Sequence, residues 1–338
     1  MAGCTLGGAL SVTTFLRDAV TVVHAPQGCA HQTVSMLHAL MADAGIERPC
    51  DILVSGLTDR DVIFGGEECL FRALTAADAK HPNLIVVVTS CVPETIGDDC
   101  RAVCSGHPAA ERIIYIPTSG FLGGSAKDGE NAALKGLAAL AKEAPPIPGR
   151  VAVIGEKNLE SEVEENFAEV KRLLDRLGLS VAVRFCRNIA AADIPKLAEA
   201  VCFIVRDDEA RDAGEAIARR FGRPLVPEFP RGLSGSIAFL RDAGRAAGCS
   251  AEVIEAAVSA EEAYQAEMLK PFAELSGTKI SLGIEPFAGT FAVAREAMAR
   301  LNITEAADGM PVKLPFFLPV GVSGTLKMLY LWRREKRR

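Results

Sequence analysis

Leu84-Ile85-Val86-Val87-Val88-Thr89-Ser90-Cys91-Val92-Pro93-Glu94-Thr95-Ile96-Gly97-Asp98-Asp99 decides the fold class. An unbroken apolar run rich in β-branched residues describes a parallel strand covered on both faces. The polar turn and helix-like segment after it make a strand–helix unit, the repeating element of an α/β protein. Working outward, residues 112–116 read as the next strand, closed by Pro117 and the glycine-rich 120–124. Residues 143–149, with prolines at 145, 146 and 148, read as a linker. Past it the pattern restarts, with strands over 151–154, 181–185 and 202–205 and helices over 160–177 and 209–220, the last leading to Pro224-Leu225-Val226. A third segment carries a helical pattern over 251–275, a strand at 279–283, a helix at 290–301 and a last strand at 312–318. The expected architecture is therefore α/β, with repeated Rossmann-like domains on parallel sheets. The expected divisions are 1–148, 149–249 and 250–338, the third abbreviated.

Composition narrows the function. The chain has 338 residues, 37 basic and 43 acidic side chains and a net charge of −6, a balance that argues against binding a polyanion such as nucleic acid. The longest late run without charge, 314–326, is too short to span a bilayer. The first 16 residues are uncharged but lack the basic flank of a secretory signal, so the expectation is a cytoplasmic protein with no membrane contact. There is no Gly-x-x-x-x-Gly-Lys-Ser/Thr loop and no Gly-x-Gly-x-x-Gly turn after a strand. Any dependence on ATP should come through another protein.

Ten cysteines in such a chain should be reduced thiols. Seven of them, and all five histidines, lie within the first 107 residues. Cys4, Cys29 and Cys91 stand in loop-like contexts beside Gly and Pro rather than inside periodic apolar faces. Thiolates at such positions are favoured by nearby backbone N–H groups and helix ends. Three thiolates do not close a four-cysteine site, so a shared metal cluster needs a further ligand from elsewhere, and unrelated small buried cysteines are the competing reading. Cys100 and Cys104, four apart on one helix, and Cys186, Cys202 and Cys249 read as core residues. His24 and His31 bracket Cys29 and could donate to cluster sulfurs or serve the fold alone. Asp98 and Asp99 read as acids on a first helical turn, and the basic 333–338 as a solvated helix end.

Four segments together resemble the nitrogenase component 1 superfamily. They are Val23-His24-Ala25-Pro26-Gln27-Gly28-Cys29, Asp61-Val62-Ile63-Phe64-Gly65-Gly66-Glu67, Thr89 to Asp99 as quoted above, and Ile116-Pro117-Thr118-Ser119-Gly120-Phe121. They cover the first 125 residues in order, and 151–248 resemble the second domain more loosely. The superfamily includes nitrogenase, dark-operative protochlorophyllide reductase, the nickel-sirohydrochlorin reductive cyclase and the methylthio-alkane reductases. The resemblance implies an oxidoreductase in which Cys4, Cys29 and Cys91 ligate an iron–sulfur cluster between two homologous subunits. That cluster is the eight-iron P-cluster in nitrogenase and a four-iron cluster in the tetrapyrrole reductases. Ser119 falls near a serine that can ligate the oxidised P-cluster. The Cys4 to Cys29 spacing of 25 resembles the nitrogenase β subunit.

Two departures shape the expectation. The family's large cofactor is held on the α subunit by a cysteine of the second domain and a histidine of the third. Here the aligned cysteine position falls near Arg206, Cys202 is four residues early, and no histidine follows His107. The resemblance thus implies a β-type subunit without a catalytic cofactor, in a heterotetramer with an α-type partner. It would relay electrons from an ATPase like the nitrogenase iron protein, with methylthio-alkane reduction as the expected reaction. A tetrapyrrole reductase subunit and a cofactor-assembly scaffold are the alternatives.

Overall fold

The computed structural model describes residues 3–43, 45, 50–121 and 123–337. The strand read from 84–88 forms as β3 (Leu84–Thr89), with every residue buried. It is flanked by β1 (Ala19–His24), also buried throughout, and β4 (Ile113–Ile116), while β2 (Asp51–Val54) completes a four-stranded sheet ordered β2-β1-β3-β4. All its pairings are parallel. Val20, Val22, Ile85 and Val87 bury one face against Leu70, Leu74, Cys100 and Cys104, and Val23, Val86 and Val88 face a second core with Leu6, Leu10 and Leu37. Burial on both faces is why the sequence runs apolar without alternation; each such side chain contributes about 1.5–3 kcal/mol.

A second sheet follows with β5 (Arg150–Ile154), β6 (Ser180–Phe185), β7 (Cys202–Val205) and β8 (Leu225–Val226), ordered β6-β5-β7-β8. A three-stranded parallel sheet holds β9 (Lys279–Ser281), β10 (Thr304–Glu305) and β11 (Met310–Pro311), ordered β10-β9-β11. The α/β class with parallel sheets is as expected. The contacts group the chain into two compact units, one of residues 1–163 with 181–227, the other of 164–180 with 228–338.

Three details differ from the sequence reading. The strand expected over 312–318 does not form; the β11 ladder with β9 ends at Pro311, and beyond the Val312 N to Ser281 carbonyl hydrogen bond the stretch is irregular. Pro315, in the middle of that stretch, lacks the N–H that a ladder needs. β1 and β2 were not read as strands. Cys249 is half-buried rather than a core residue, its thiol directed at the Leu177 carbonyl. The basic C-terminal residues belong to the helix Gly321–Lys336 and its end, where Arg333 and Arg337 pair with Glu274. In the second unit, helix N-termini are closed by carboxylates: Glu296 accepts from Leu233 N and Ser234 N, Glu285 from Gly289 N and Phe291 N, and Glu169 from Val322 N.

Candidate functional site

β1 and β3 run parallel in flush register, with His24 opposite Thr89 at their carboxyl ends. The order β2-β1-β3-β4 reverses direction between these two strands, the topological switch point where open α/β sheets bind ligands. Both strands lead from that edge into helices, and both helices open with a cysteine in their first turn. Cys29 is the third residue of the helix Gln27–Asp43, and Cys91 is the first residue of the helix Cys91–Ile96. The loop contexts read from sequence are thus helix beginnings. Cys4 is the N-cap of the helix Thr5–Thr13, with extended backbone angles and no side-chain cap. Neither that helix nor Gln27–Asp43 has an acid in its first turn. On these two helices a thiol stands where a first-turn carboxylate could, while the Cys91 helix also carries Glu94; N–H dipoles at such ends favour the thiolate.

Hydrogen bonds tie the three cysteines to one edge. Thr118, just past β4, bonds reciprocally with Thr89: its hydroxyl accepts from Thr89 N at 3.1 Å and its N–H donates to Thr89 Oγ1 at 3.2 Å. The Thr5 hydroxyl donates to the Thr118 carbonyl, which brings Cys4 to the same edge. Helix Thr5–Thr13 crosses helix Ala126–Ala138 at Gly8 and Gly129, where a Cβ on either would collide with the other helix's backbone. Ser90 N donates to the His24 carbonyl at 3.1 Å, linking the lead-in to Cys91 with the end of β1. On the Cys29 helix, Thr33 donates to the Cys29 carbonyl at 2.9 Å, and its methyl lies 3.7 Å from where a Gly7 Cβ would sit. Ser119 is exposed in the loop that follows Thr118.

Exposure divides the cysteines. Cys4 and Cys29 are exposed and Cys91 is half-buried, whereas Cys50, Cys69, Cys100, Cys104, Cys186 and Cys202 are buried. Burial pushes the Cys100 thiol up to about 12 and Cys104 up to about 11, and holds Cys186 well above the ordinary value. Those thiols stay protonated at neutral pH and are poor ligands.

Among the described residues, no three His, Cys, Asp or Glu side chains converge closely enough to hold one metal ion. The donor set suits a polynuclear iron–sulfur centre, whose ligands are spread around its own body. Two observations fit such a group. The Ser90 hydroxyl, next to Cys91, is buried with no hydrogen-bond partner, and a Cβ on Gly28, beside Cys29, would meet nothing within 4 Å. A cluster sulfur is an acceptor for the first, and the bare backbone gives room for its approach.

Sequence reading missed the network under this edge. His24 is wholly buried; its Nδ1 lies 2.8 Å from Ser55 Oγ and its Nε2 3.1 Å from Asp98 Oδ2. Gly97, left-handed at φ 82°, ends the Cys91 helix and turns Asp98 inward, where its other oxygen accepts from Gly66 N at 2.9 Å. Only Asp99 is a helix cap, accepting from Ala102 N; Asp98 is a buried partner of His24, which corrects the reading of both as first-turn acids. Beside it, Glu94 accepts from Thr89 Oγ1 at 2.5 Å and from Tyr115 at 2.6 Å. His31 is exposed on the cleft between its helix and β2.

The second sheet has the same strand order and the same switch point, between β5 and β7, yet its edge is filled. Lys157 lies 3.7 Å from Glu130, 3.6 Å from Asp207 and against Glu209. Arg206, where the family alignment puts the cofactor cysteine, is buried and pairs with Glu160 at 3.3 Å. Gly155, left-handed after β5, packs so tightly on Ala210 that a Cβ would collide with it. These residues do not fit a thiolate-held cofactor.

Comparison with known proteins bears on family and fold. The nitrogenase component 1 type oxidoreductase profile matches residues 4–300. The nitrogenase iron-molybdenum cofactor biosynthesis protein NifE of Methanosarcina barkeri is 30% identical over 213 residues, 58% of this chain and 44% of that protein. NifE of Rhodobacter capsulatus is 29% identical over 80% of this chain and 58% of its own length. The nitrogenase molybdenum-iron protein alpha chain of Methanothermococcus thermolithotrophicus is 26% identical over 79% and 58% respectively. The chain thus spans about half the length of the curated relatives it matches. The structure of nitrogenase Cp1 at pH 5 superposes with a TM-score of 0.66 at 19% identity, over 90% of this chain and 63% of that one, so the fold is shared. Among the described residues, no helix is long and apolar enough to cross a membrane. With its profile match running from Cys4 through both four-stranded sheets, the chain belongs to the nitrogenase component 1 type oxidoreductase family.

Proposed function

We propose that the chain is a cluster-bearing, β-type subunit of a nitrogenase-like reductase. Cys4, Cys29 and Cys91 would hold an iron–sulfur centre on a face completed by a homologous α-type subunit, with Ser119 a candidate fourth donor. The observation that carries this reading is the collection of three thiols outside the core at helix beginnings on one sheet edge, two of them, Cys4 and Cys29, on helices with no first-turn acid. When bound, the centre would supply one-electron transfer. The chain's own residues would fix it, leave N–H groups open toward it and present a face to the partner. That face is apolar: Ile63 and Phe64 are 74% and 80% exposed on a helix packed against the Cys91 helix, and Phe121, beyond Ser119, is 69% exposed. The filled second-sheet edge supports a relay role, with substrate reduced on the partner and electrons delivered by an ATPase like the nitrogenase iron protein. On the substrate, the resemblance extends the proposal to methylthio-alkanes, with a tetrapyrrole as the alternative.

The test is an anaerobic iron assay with and without an α-type partner. About eight irons per pair of chains is the P-type outcome and about four the tetrapyrrole type. Expressed alone, the chain should hold little iron, and a stable monomer with a full cluster would overturn the reading. The names of the NifE relatives favour a second reading, an assembly scaffold. A scaffold would pass its iron to an acceptor protein, whereas a relay keeps its iron through turnover.

A further inference from the structure

We propose that His24, with Ser55 and Asp98, is a buried proton site whose occupancy follows the charge of the centre held by Cys29 and Cys91. The inference rests on the cluster reading above. His24 lies five residues before Cys29, and its carbonyl accepts from the residue preceding Cys91, so its ring is fixed to the scaffold of both thiols. The ring is wholly buried, but Ser55 is only half-buried and joins it to solvent. Ser55 Oγ accepts from Ala25 N at 3.1 Å, so its proton is free to point at His24 Nδ1 or, 3.5 Å away, at the Ala25 carbonyl. In the first state His24 is neutral and donates from Nε2 to Asp98. In the second the hydroxyl turns away, Nδ1 carries a proton and donates to Ser55, and Asp98 balances the imidazolium.

The charges acting on His24 are Asp98 and Glu94, both negative. Behind Glu94 stand Tyr115 and the buried Cys100 thiol, while the Gly66 and Leu57 side, like the β1–β3 side, brings no charge. Burial keeps His24 below the ordinary imidazole value against the upward pull of Asp98 and Glu94, so the resting site is neutral. A further negative charge nearby raises its proton affinity. The balanced step is one electron accepted by the centre from a low-potential one-electron donor and one proton taken from solvent through Ser55 to Nδ1. Oxidation reverses both, and no bond to the centre forms or breaks.

The experiment is a potentiometric titration, read by electron paramagnetic resonance, of the partner-bound protein between about pH 6 and 8. Wild type should show a midpoint potential that falls as pH rises. Asp98→Asn keeps an acceptor for Gly66 N and a hydrogen bond to His24 but removes the balancing charge. It should keep its iron and lose at least half of that slope, and His24→Gln should lose it as well. A flat wild-type titration, or an iron-loaded Asp98→Asn with the full slope, overturns the proposal. Loss of iron in Asp98→Asn also overturns it, marking the pair as a clamp. Wild type that takes up no iron with its partner overturns the cluster reading, and the proton site with it.

Discussion

The two four-stranded sheets share one topology and treat its switch point in opposite ways. At the β1–β3 edge the chain places thiols at open helix beginnings, and Gly28 faces empty space. At the β5–β7 edge Gly155 is packed on Ala210, and Lys157 is ringed by Glu130, Asp207 and Glu209. The topology makes a crevice in both; side-chain chemistry decides whether it admits a ligand. A half-buried lysine already neutralised by carboxylates has no affinity to spare, whereas an uncapped helix end with a thiol does.

The sharpest way to break this comparison is to exchange the cysteine classes. Cys29→Ala or Cys91→Ala should abolish iron binding with little change in thermal midpoint, because neither thiol is a core residue. Cys186→Ala and Cys202→Ala should keep full iron and lose about 1–2 kcal/mol of stability in a denaturant titration. Cys186→Ala losing the cluster while Cys29→Ala keeps it would reverse the assignment.

Next in size is the filled edge. Lys157→Ala leaves the half-buried Glu130, Asp207 and Glu209 without their cation and should cost about 1–3 kcal/mol of unfolding free energy without lowering iron per folded chain. Loss of iron in step with folded fraction, and no further, is the expected result. Glu130 sharpens the point through pH. Burial raises it from 4.5 to about 7, against the pull of Lys157. The folded state therefore holds a proton that the unfolded chain releases above pH 4.5, so this contribution is complete below that value and lost as pH rises through about 7. Glu130→Gln, which mimics the protonated acid, should flatten the stability profile over that interval, and an unchanged profile would show that Glu130 does not titrate there.

The smallest effect tests the open edge directly. Gln27→Asp puts an acid into the first turn of the Cys29 helix, as the helix Ala126–Ala138 has in Asp128. It should stabilise the cluster-free fold by about 0.3–1 kcal/mol while weakening iron retention against a chelator. Stronger retention would contradict the claim that these N–H groups are kept open for an anionic centre.

Much of this was legible in one dimension. Leu84–Thr89 announced a doubly covered strand because both its faces are apolar, and Cys4, Cys29 and Cys91 stood apart because Gly and Pro, not periodic apolar residues, surround them. The strand expected at 312–318 failed because local hydropathy does not count missing N–H donors. Asp98 was misread for a related reason. Its sequence neighbours resemble a helix start, and only the left-handed turn at Gly97 shows that it points inward to a histidine 74 residues earlier. Lys157 and Glu130 likewise look like surface charges until the two elements that carry them meet. The sequence by itself determined the α/β class, the family and that Cys4, Cys29 and Cys91 stand outside the core, since these follow from local pattern and short motifs. Only the tertiary structure decided that one switch point is open and the other closed, because that depends on pairings between residues far apart in the chain.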